Sequence, residues 1–346
     1  MPKPDGKQRP LGIPPIKDRV AETAALIVLE PMFEADLQPE QYAYREGHSA
    51  QAAVKAVHRL LIAGYREVVD ADLSGYFDSI SHAELMQCVA RRVSDKAVLH
   101  LIKLWLVAPV EERDSRGRIH RTTRNKDEGR GSPQGAPISP LLANLYMRRF
   151  VLGWKVLGHQ RALQARIVNY ADDFVICCRR NADQAMQVMR DMMTRLKLTV
   201  NETKTHVCRV PDESFDFLGY TFGRGYAPRT GQPYIGARPS QKKVTRLRRA
   251  ISEQTSARWG LADPEEIVGR LNLMIRGWAN YFSYGSVSRA YRAVDFHARE
   301  RLRQWLCRKH KVAGRGTARF PLQYGYKQLG LIELRVLRRR LPRANA

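Results

Sequence analysis

Residues 168–175 read VNYADDFV, and this stretch decides what kind of fold surrounds it. Two adjacent aspartates, Asp172 and Asp173, interrupt residues that are otherwise mostly apolar and strand-forming. Neighbouring carboxylates repel each other, and a strand buried on its faces is a poor place for them. The pattern predicts a strand–turn–strand hairpin that carries the two carboxylates at its turn, where something must offset their repulsion.

A second acidic segment, DADLSGYFDSI at residues 70–80, supplies a partner for this pair. Asp72 ends an apolar predicted strand, whereas Asp70 lies within that strand and is interpreted as structural. If Asp72 lies beside Asp172 and Asp173, three carboxylates converge and require cations. Mg²⁺ prefers oxygen ligands, and two such ions about 3.5–4 Å apart support nucleotidyl transfer. Taken singly, each aspartate also fits an ordinary turn.

The composition of the chain favours a folded protein over a disulfide-rich, secreted or membrane protein. The chain has 346 residues, of which 44% are hydrophobic, enough for a folded core and for two or three domains of ordinary size. Its five cysteines form no C-x-x-C pair, which argues against a disulfide framework or a zinc knuckle. No apolar run is long enough for a membrane helix, and the opening MPKPDGKQRP has no secretory character. We therefore expect a cytoplasmic protein without a membrane partner.

The net charge of +25 is concentrated in the C-terminal third. Residues 237–346 contain 25 Lys and Arg but only 7 Asp and Glu. Aromatic residues are interleaved with this charge in RGWANYFSYGSVSRAYR at residues 276–292, as in surfaces that stack nucleotides. The pattern favours a nucleic-acid partner, with a merely solubilising surface as the alternative. Trp278 is assigned to the core rather than to a stacking surface.

Residues 1–222 mix predicted strands and helices. A hairpin with an Asp5–Gly6 turn opens the chain, a helix ends near Pro31, and another runs from an N-cap at Ser49 to a stop at Gly64. The remaining predictions are a capping box at Ser81 and Glu84, a hairpin or loop at 111–131, a Met-rich core helix at 182–198, and one short strand, FDFLGYTF, at 215–222.

The character of the sequence changes after residue 222. A Gly- and Pro-rich stretch, 223–240, is expected to be a connector, and three basic segments with helical apolar spacing follow in 241–346. We therefore expect an α+β domain at 1–222, the connector, and an all-helical domain at 241–346.

Several blocks occur in a specific order along the chain. They are KPDGKQRPLGIP, YREGHSAQAAV, VVDADLSGYFDSISH, GSPQGAPISPLLANLYM, NYADDFVI, LKLTVNETKT, FDFLGYTF and RGWANYF. Together they resemble a reverse transcriptase, and among these the group II intron-encoded reverse transcriptase/maturases of bacteria. The resemblance implies right-hand polymerase fingers and palm with an antiparallel palm sheet, followed by a helical thumb that is also the maturase segment. It implies RNA-directed DNA polymerase activity with two Mg²⁺, or Mn²⁺ in their place.

The resemblance also implies roles for individual residues. Asp72, Asp172 and Asp173 match the metal-binding catalytic triad, and Lys204 matches a residue that protonates the leaving pyrophosphate. Contacts to the incoming nucleotide are implied for Lys3, Arg9, the steric gate Phe77, and Gln134 and Gly135. The primer grip corresponds to Phe217, Leu218, Gly219 and Tyr220. The implied partners are group II intron RNA, an RNA template with a DNA primer, and deoxynucleoside triphosphates.

Two departures from the family pattern leave alternatives open. The family normally has further fingers residues before KPDGKQRP, so we expect fingers that are truncated at their N-terminus. No Cys/His cluster follows residue 320, so we expect no endonuclease domain. One alternative is a catalytically impaired RNA-binding splicing factor. Another is a reverse transcriptase associated with a retron, a defence system or CRISPR.

Overall fold

The structure is a computed structural model that describes residues 12–113, 117–227 and 229–340. The predicted hairpin at the start of the chain, together with Lys3 and Arg9, lies outside these residues. The chain divides into two compact units, Met1–Val210 and Pro211–Ala346. No helix within the described ranges combines the length and apolar content that crossing a membrane requires.

The first unit contains helices and strands in mixed order, as expected for the α+β class. Its helices are α1 (Ile16–Glu34), α2 (Ala50–Ile62), α3 (Tyr76–Ser79), α4 (His82–Ala90), α5 (Lys96–Leu106), α6 (Arg124–Glu128), α7 (Ser139–Val156), α8 (His159–Ala162) and α9 (Ala182–Arg195). Its strands are β1 (Glu67–Asp72), β2 (Val110–Arg113), β3 (Ile119–Thr122), β4 (Ala165–Tyr170), β5 (Asp173–Cys178) and β6 (His206–Arg209). The predicted strand–turn–strand around Asp172 is confirmed as β4 and β5.

A four-stranded antiparallel sheet organises this unit, with the strand order β4-β5-β1-β6. One face of the sheet belongs to the main hydrophobic core, into which Val69, Phe174 and Ile176 are packed. Helices α4, α5, α7 and α9 contribute the other side of that core. Because successive side chains of a strand alternate between faces, Asp72 and Asp173 face the opposite side of the sheet.

Helix α2 contacts β4 and β5, and its buried residues lie outside the main core. Its ends are those predicted. The hydroxyl of Ser49 accepts a hydrogen bond from the Ala52 N–H at 3.1 Å, and Gly64 has a φ of +94° just after the helix. The side-chain cap satisfies an N–H that has no partner within the helix.

Two local predictions were wrong. Helix α1 does not end near Pro31 but continues to Glu34, and Phe33 in this last turn is buried in the core. The capping box does not form either, because the Ser81 side chain makes no cap hydrogen bond. The Glu84 carboxylate instead forms salt bridges with Arg149 and Lys197. In both places tertiary contacts override the local signal.

The second unit begins with a three-stranded antiparallel sheet and continues with helices. Its strands are β7 (Phe215–Phe217), β8 (Tyr220–Tyr226) and β9 (Pro233–Pro239), and its helices are α10 (Gln241–Gln254), α11 (Pro264–Tyr281), α12 (Ser288–Lys309), α13 (Tyr324–Lys327) and α14 (Leu334–Arg340). FDFLGYTF is therefore two strands and a turn rather than one strand. The expected connector 223–240 contributes to β8 and β9, because its residues pair in register.

Within the described residues 241–340, all regular elements are helical, as expected. Helices α10, α11, α12 and α14 share one hydrophobic core. Trp278 packs against this core, with its ring centroid 4.8 Å from that of Phe282 and 6.0 Å from that of Tyr291. Its assignment to the core is confirmed.

Candidate active site at the acidic edge of the sheet

The register of the sheet places two of the predicted carboxylates opposite each other. Asp72, the last residue of β1, pairs with Asp173, the first residue of β5. Residues directly opposite in antiparallel strands have Cβ atoms about 4.5–5.5 Å apart and face the same side. Tyr170 of β4 pairs with Asp173 in turn and shares this face. Asp72 and Asp173 are both partly exposed, so an acidic edge opens to solvent at this end of the sheet.

A buried amide holds the turn that contains Asp172. Ala171 has a φ of +58°, a conformation that a residue with a Cβ rarely adopts. The fully buried Asn169 donates its side-chain N–H to the Ala171 carbonyl at 2.8 Å. The backbone of residues 40–42 holds Asn169 in place, because the Asn169 N–H donates to the Glu40 carbonyl and the Tyr42 N–H donates to the Asn169 carbonyl, each at 2.9 Å.

Asp72 is held by residues from the loop that precedes β6. The Lys204 ammonium and the Asn201 side-chain N–H both donate to its Oδ2, at 3.0 and 3.1 Å. The Asn201 N–H donates to the Asp72 carbonyl at 2.8 Å, and the Asp72 N–H donates to the Thr205 hydroxyl at 3.3 Å. One oxygen of Asp72 is therefore positioned by two donors, one of them a cation.

The donor set fits a hard divalent cation, since it consists of carboxylate oxygens at an edge open to solvent. Among the described residues, however, no three or more His, Cys, Asp or Glu side chains are grouped closely enough to hold a metal ion. The Lys204 ammonium lies where a cation would approach Asp72 Oδ2. A metal ion and this ammonium would therefore compete for the same oxygen.

The segment after Asp72 places two aromatic rings beside the site. Tyr76 is buried, and its hydroxyl donates to the Ala143 carbonyl at 2.6 Å. Burial raises the pKa of Tyr76 well above its usual range, and the charge of Asp172 adds to this effect. Phe77, the predicted steric gate, is only partly buried and meets the Tyr76 ring edge-on at 5.7 Å between centroids. Its role as a steric gate stays a prediction.

The loop that carries Gln134 and Gly135 packs against the backbone near residue 12. The Gly12 N–H donates to the Gln134 carbonyl at 2.8 Å. Gly135 has a φ of +119°, and a Cβ at this position would lie 2.6 Å from the Gly12 carbonyl oxygen. Close packing within the chain is therefore a reason for glycine here that the sequence did not reveal, and contact with a nascent base pair stays a prediction.

The family model described as reverse transcriptase (RNA-dependent DNA polymerase) matches residues 1–222. The chain belongs to the reverse transcriptase family. A second model, described as the group II intron maturase-specific domain, matches residues 244–321. The resemblance to group II intron reverse transcriptase/maturases is confirmed.

Curated relatives of this chain include Protein YkfC of Escherichia coli K12, which is 30% identical over 64% of this chain and 64% of its own length. Group II intron-encoded protein LtrA of Lactococcus lactis is 33% identical over 43% of this chain and 24% of its own. An uncharacterized 91 kDa protein in the cob intron of Schizosaccharomyces pombe is 23% identical over 82% of this chain and 42% of its own. The chain thus spans less than two thirds of the length of these relatives.

Among solved structures, telomerase from Candida albicans in complex with a fragment of telomeric RNA is similar, with a TM-score of 0.44 and 12% identity. The match covers 90% of this chain and 57% of that one.

The residues of the predicted primer grip lie in the second unit of the chain, around a two-residue turn. Leu218 and Gly219 join β7 to β8, with φ values of +49° and +80°. Positive φ at both central residues matches the tight turns that suit hairpins. The flanking Phe217 and Tyr220 are buried, and the Tyr281 hydroxyl donates to the Leu218 carbonyl at 2.8 Å. A role in gripping a primer stays a prediction.

Three further residues of the acidic edge were not singled out from the sequence. Asn201 and Thr205 belong to the NETKT block together with Lys204, and Asn169 lies directly before YADD. Polar side chains close to an aspartate motif are only a weak sequence signal that a residue contributes to the site. Only the register of the strands shows which of them reach Asp72 or the turn.

Proposed function

We propose that this chain is an RNA-directed DNA polymerase that also binds group II intron RNA and assists its splicing. The observation that supports the proposal best is the register pairing of Asp72 with Asp173, with Asp172 in the adjoining turn. The chain adds deoxynucleotides to a primer 3′-hydroxyl and releases pyrophosphate. Its template is RNA, and its primer is DNA.

Asp72, Asp172 and Asp173 would hold two Mg²⁺ ions. When bound, these ions activate the primer hydroxyl and neutralise charge on the leaving group. The chain itself orients the carboxylates through β1, β5 and the turn at Ala171. Mn²⁺ has the same preference for oxygen ligands and fits the same donors.

Lys204 has two roles in this proposal. In the resting site its ammonium lies 3.0 Å from Asp72 Oδ2 and offsets the charge of that carboxylate. During transfer, the new 3′-oxygen–phosphorus bond forms while the bond to pyrophosphate breaks, and Lys204 donates a proton to the pyrophosphate oxygen that leaves. With 66% of its side chain exposed, Lys204 has room to move between these positions.

The family resemblance supports roles in binding and selecting the nucleotide for a further set of residues. The ring of Phe77 would collide with a ribose 2′-hydroxyl, so deoxynucleotides are preferred. Gln134 and Gly135 border the nascent base pair, and Lys3 and Arg9 hold the triphosphate. Phe217, Leu218, Gly219 and Tyr220 form the primer grip, in which the partly exposed Leu218 and Gly219 contact the primer.

Primer extension tests the polymerase assignment. Asp172→Asn removes one carboxylate charge with little change in volume, so extension on an RNA template with Mg²⁺ is expected to fall by at least about a thousandfold, as for loss of a principal catalytic group. RNA affinity, measured by fluorescence anisotropy, is expected to stay within about twofold of wild type. Asp183→Asn, an exposed aspartate at the start of α9, is the matched control. Extension by Asp172→Asn at the wild-type rate would refute the triad.

A second candidate function is RNA binding in support of splicing without polymerisation. It is favoured by the maturase-specific match at 244–321, which lies in a unit with its own hydrophobic core. The same purified chain decides between the two: splicing assistance without extension by the wild type would support the splicing factor. Extension that depends on Asp172 would support the polymerase.

A further inference from the structure

Helices α4 and α7 and the end of α1 enclose a basic pocket in the first unit. Its volume is about 260 Å³, and we call it the arginine pocket. Six of its lining residues matter here: Asp36, Cys88, Arg91, Arg92, Arg148 and Arg149. Four guanidinium groups therefore line a cavity to which a single carboxylate contributes directly.

Two of these arginines are already paired. Arg92 grips Asp36 through two hydrogen bonds of 2.8 and 2.5 Å, and this contact holds the pKa of Asp36 below its usual range. Arg149 forms a salt bridge with Glu84, which lies outside the pocket. The opposite charges within each of these two pairs cancel, so Arg92 and Arg149 do not account for the net positive charge of the pocket.

The other two arginines carry the excess charge. Among the described residues, Arg148 donates a hydrogen bond only through its Nε–H, to the Asp36 carbonyl at 2.6 Å. This bond fixes the side chain and leaves the outer nitrogens of the guanidinium without a partner in the described part of the chain. In the part of the chain that the structure describes, neither Arg91 nor Arg148 forms a salt bridge. A guanidinium anchored in this way is preorganised for bidentate contact with an oxyanion.

Cys88 shows that the charges converge on the cavity. Burial raises the pKa of its thiol, and the charges of Arg149, Arg91 and Arg148 act against that rise. Three guanidinium groups thus line the same pocket as this thiol. Cys88 is partly exposed, whereas the other four cysteines are buried.

The arginine pocket does not belong to the acidic edge. Leu85 and Val89 of α4 and Met147 of α7 lie in the main core together with Phe174 and Ile176 of the sheet. Asp72 and Asp173 alternate with those strand residues and face the other side. A ligand in the arginine pocket is therefore separated from a nucleotide at the carboxylates by the sheet and its core.

We propose that the arginine pocket binds a backbone phosphate of folded RNA, as an RNA contact outside the template path. Phosphodiester oxygens accept hydrogen bonds in the fork geometry that Arg91 and Arg148 offer, and such contacts carry no sequence requirement. The inference rests on the proposed function only in that the chain binds RNA. It does not require the chain to polymerise DNA.

Alkylation of Cys88 by N-ethylmaleimide, followed by mass spectrometry of the full chain, tests this inference. A folded group II intron transcript is expected to slow alkylation of Cys88 by at least about tenfold when the pocket is occupied. In Arg91→Gln/Arg148→Gln this protection is expected to fall to less than about twofold. Arg180→Gln, which removes an exposed charge beyond β5, is the control and keeps the protection.

The same alkylation assay with other ligands identifies the source of the phosphate. Protection by pyrophosphate or a deoxynucleoside triphosphate without RNA would overturn the proposal in favour of a small phosphorylated ligand. Protection by a short template–primer duplex alone would place the pocket on the template path and also overturn it. Equal protection of wild type and the double variant would show that RNA covers Cys88 from elsewhere.

Primer extension and thermal unfolding of the same variants separate this inference from the polymerase assignment. Arg91→Gln/Arg148→Gln is expected to extend a short primer at a rate within about twofold of wild type. It is expected to unfold within a few degrees of wild type, because Arg91 is exposed and Arg148 loses a single partly buried hydrogen bond. If the wild type fails to extend primers but RNA still protects Cys88, the polymerase assignment is wrong, whereas RNA binding by the arginine pocket is supported.

Discussion

Asp72 and Lys204 form an ion pair at the acidic edge of the sheet. They are 132 positions apart, yet Nζ and Oδ2 lie 3.0 Å from each other. The contact explains how a carboxylate next to other carboxylates is tolerated, because an ammonium offsets its charge. It also means that a metal ion has to displace Lys204 from this oxygen before it can bind there.

Replacing Lys204 by glutamine tests both consequences. Without the ammonium, Mg²⁺ meets less competition at Asp72, so the Mg²⁺ concentration for half-maximal extension is expected to fall about twofold or more. The maximal rate is expected to fall by about tenfold to a thousandfold, because the proton donor is lost. Steady-state primer extension over a Mg²⁺ series measures both quantities.

Lys197→Gln is a closely matched control for this experiment. Lys197 is 65% exposed and lies 3.0 Å from Glu84, whereas Lys204 is 66% exposed and lies 3.0 Å from Asp72. The control variant is expected to keep the wild-type Mg²⁺ dependence. If Lys204→Gln and Lys197→Gln behave alike, Lys204 has no special role at Asp72.

Asn169 is expected to act as a positioning residue for Asp172. Asn169→Ala removes the donor that holds the Ala171 carbonyl and leaves that buried oxygen unpaired, which costs about 1–3 kcal/mol of unfolding free energy. Because a small misplacement of a reacting group has a large kinetic effect, extension is expected to slow by about tenfold to a hundredfold. Urea unfolding and primer extension provide the two measurements.

Gln187→Ala serves as the control for Asn169→Ala, because Gln187 makes its hydrogen bond to Asp191 on the exposed surface of α9. It is expected to change neither quantity appreciably. A wild-type extension rate for Asn169→Ala would show that the turn keeps its geometry without the amide.

At the level of elements, helix α14 begins on a carboxylate from another helix. Asp295 of α12 is buried, and its two oxygens accept hydrogen bonds from the Leu334 and Arg335 N–H groups at 2.9 and 3.4 Å. Burial raises the pKa of Asp295 to about 6, although the two N–H groups oppose this. Of the charges facing it, Glu333 adds to the rise and Arg335 acts against it.

This arrangement predicts that stability depends on pH. Between pH about 4 and about 6 the folded chain holds a proton on Asp295 that the unfolded chain has released, so the unfolding free energy falls as pH rises through this range. The loss attributable to Asp295 amounts to at most about 3 kcal/mol. Urea unfolding at successive pH values measures it.

Asp295→Asn cannot titrate but still offers an acceptor to the Leu334 N–H, so the component of the pH dependence due to Asp295 is expected to disappear. Asp263→Asn, an exposed aspartate before α11 that makes no side-chain cap bond, keeps the wild-type profile. Parallel profiles for wild type and Asp295→Asn would show that this carboxyl does not control stability in that range.

Turns and helix ends show how far local sequence patterns reach. The cap at Ser49 and the stop at Gly64 were predicted correctly, because both depend on neighbouring residues. The end of α1 and the capping box at Ser81 were not, because core packing of Phe33 and salt bridges to Glu84 come from distant residues. Contacts between distant residues produce no periodic pattern in the sequence, so these two features could not be predicted from it.

At the level of the whole molecule, charge is expected to govern RNA binding. Because cationic side chains release counterions from phosphates, affinity for folded RNA is expected to fall at least about tenfold between about 50 and about 200 mM salt. Three exposed arginines of the basic C-terminal third are replaced in the triple variant Arg276→Gln/Arg289→Gln/Arg292→Gln. This variant is expected to show a shallower dependence of RNA affinity on salt. Fluorescence anisotropy over a salt series measures the slope.

Arg121→Gln/Lys126→Gln/Arg180→Gln removes the same number of exposed charges from the first unit. Its effect on the slope is expected to be smaller. An equal effect of the two triple variants would show that the basic C-terminal third is not the principal RNA surface.

The family, the mixed α and β character of the first part and the helical character of residues 241–340 followed from the sequence alone, as did the choice of the three aspartates of the proposed site. These features depend on residue type, on periodicity and on the order of motifs along the chain. Tertiary structure alone decided that Lys204 and Asn201 reach Asp72, that Asp295 caps a helix 39 residues away, and that α4 and α7 close the arginine pocket. The physical reason is that each of these contacts joins side chains from distant segments, and strand register and helix packing set their distances.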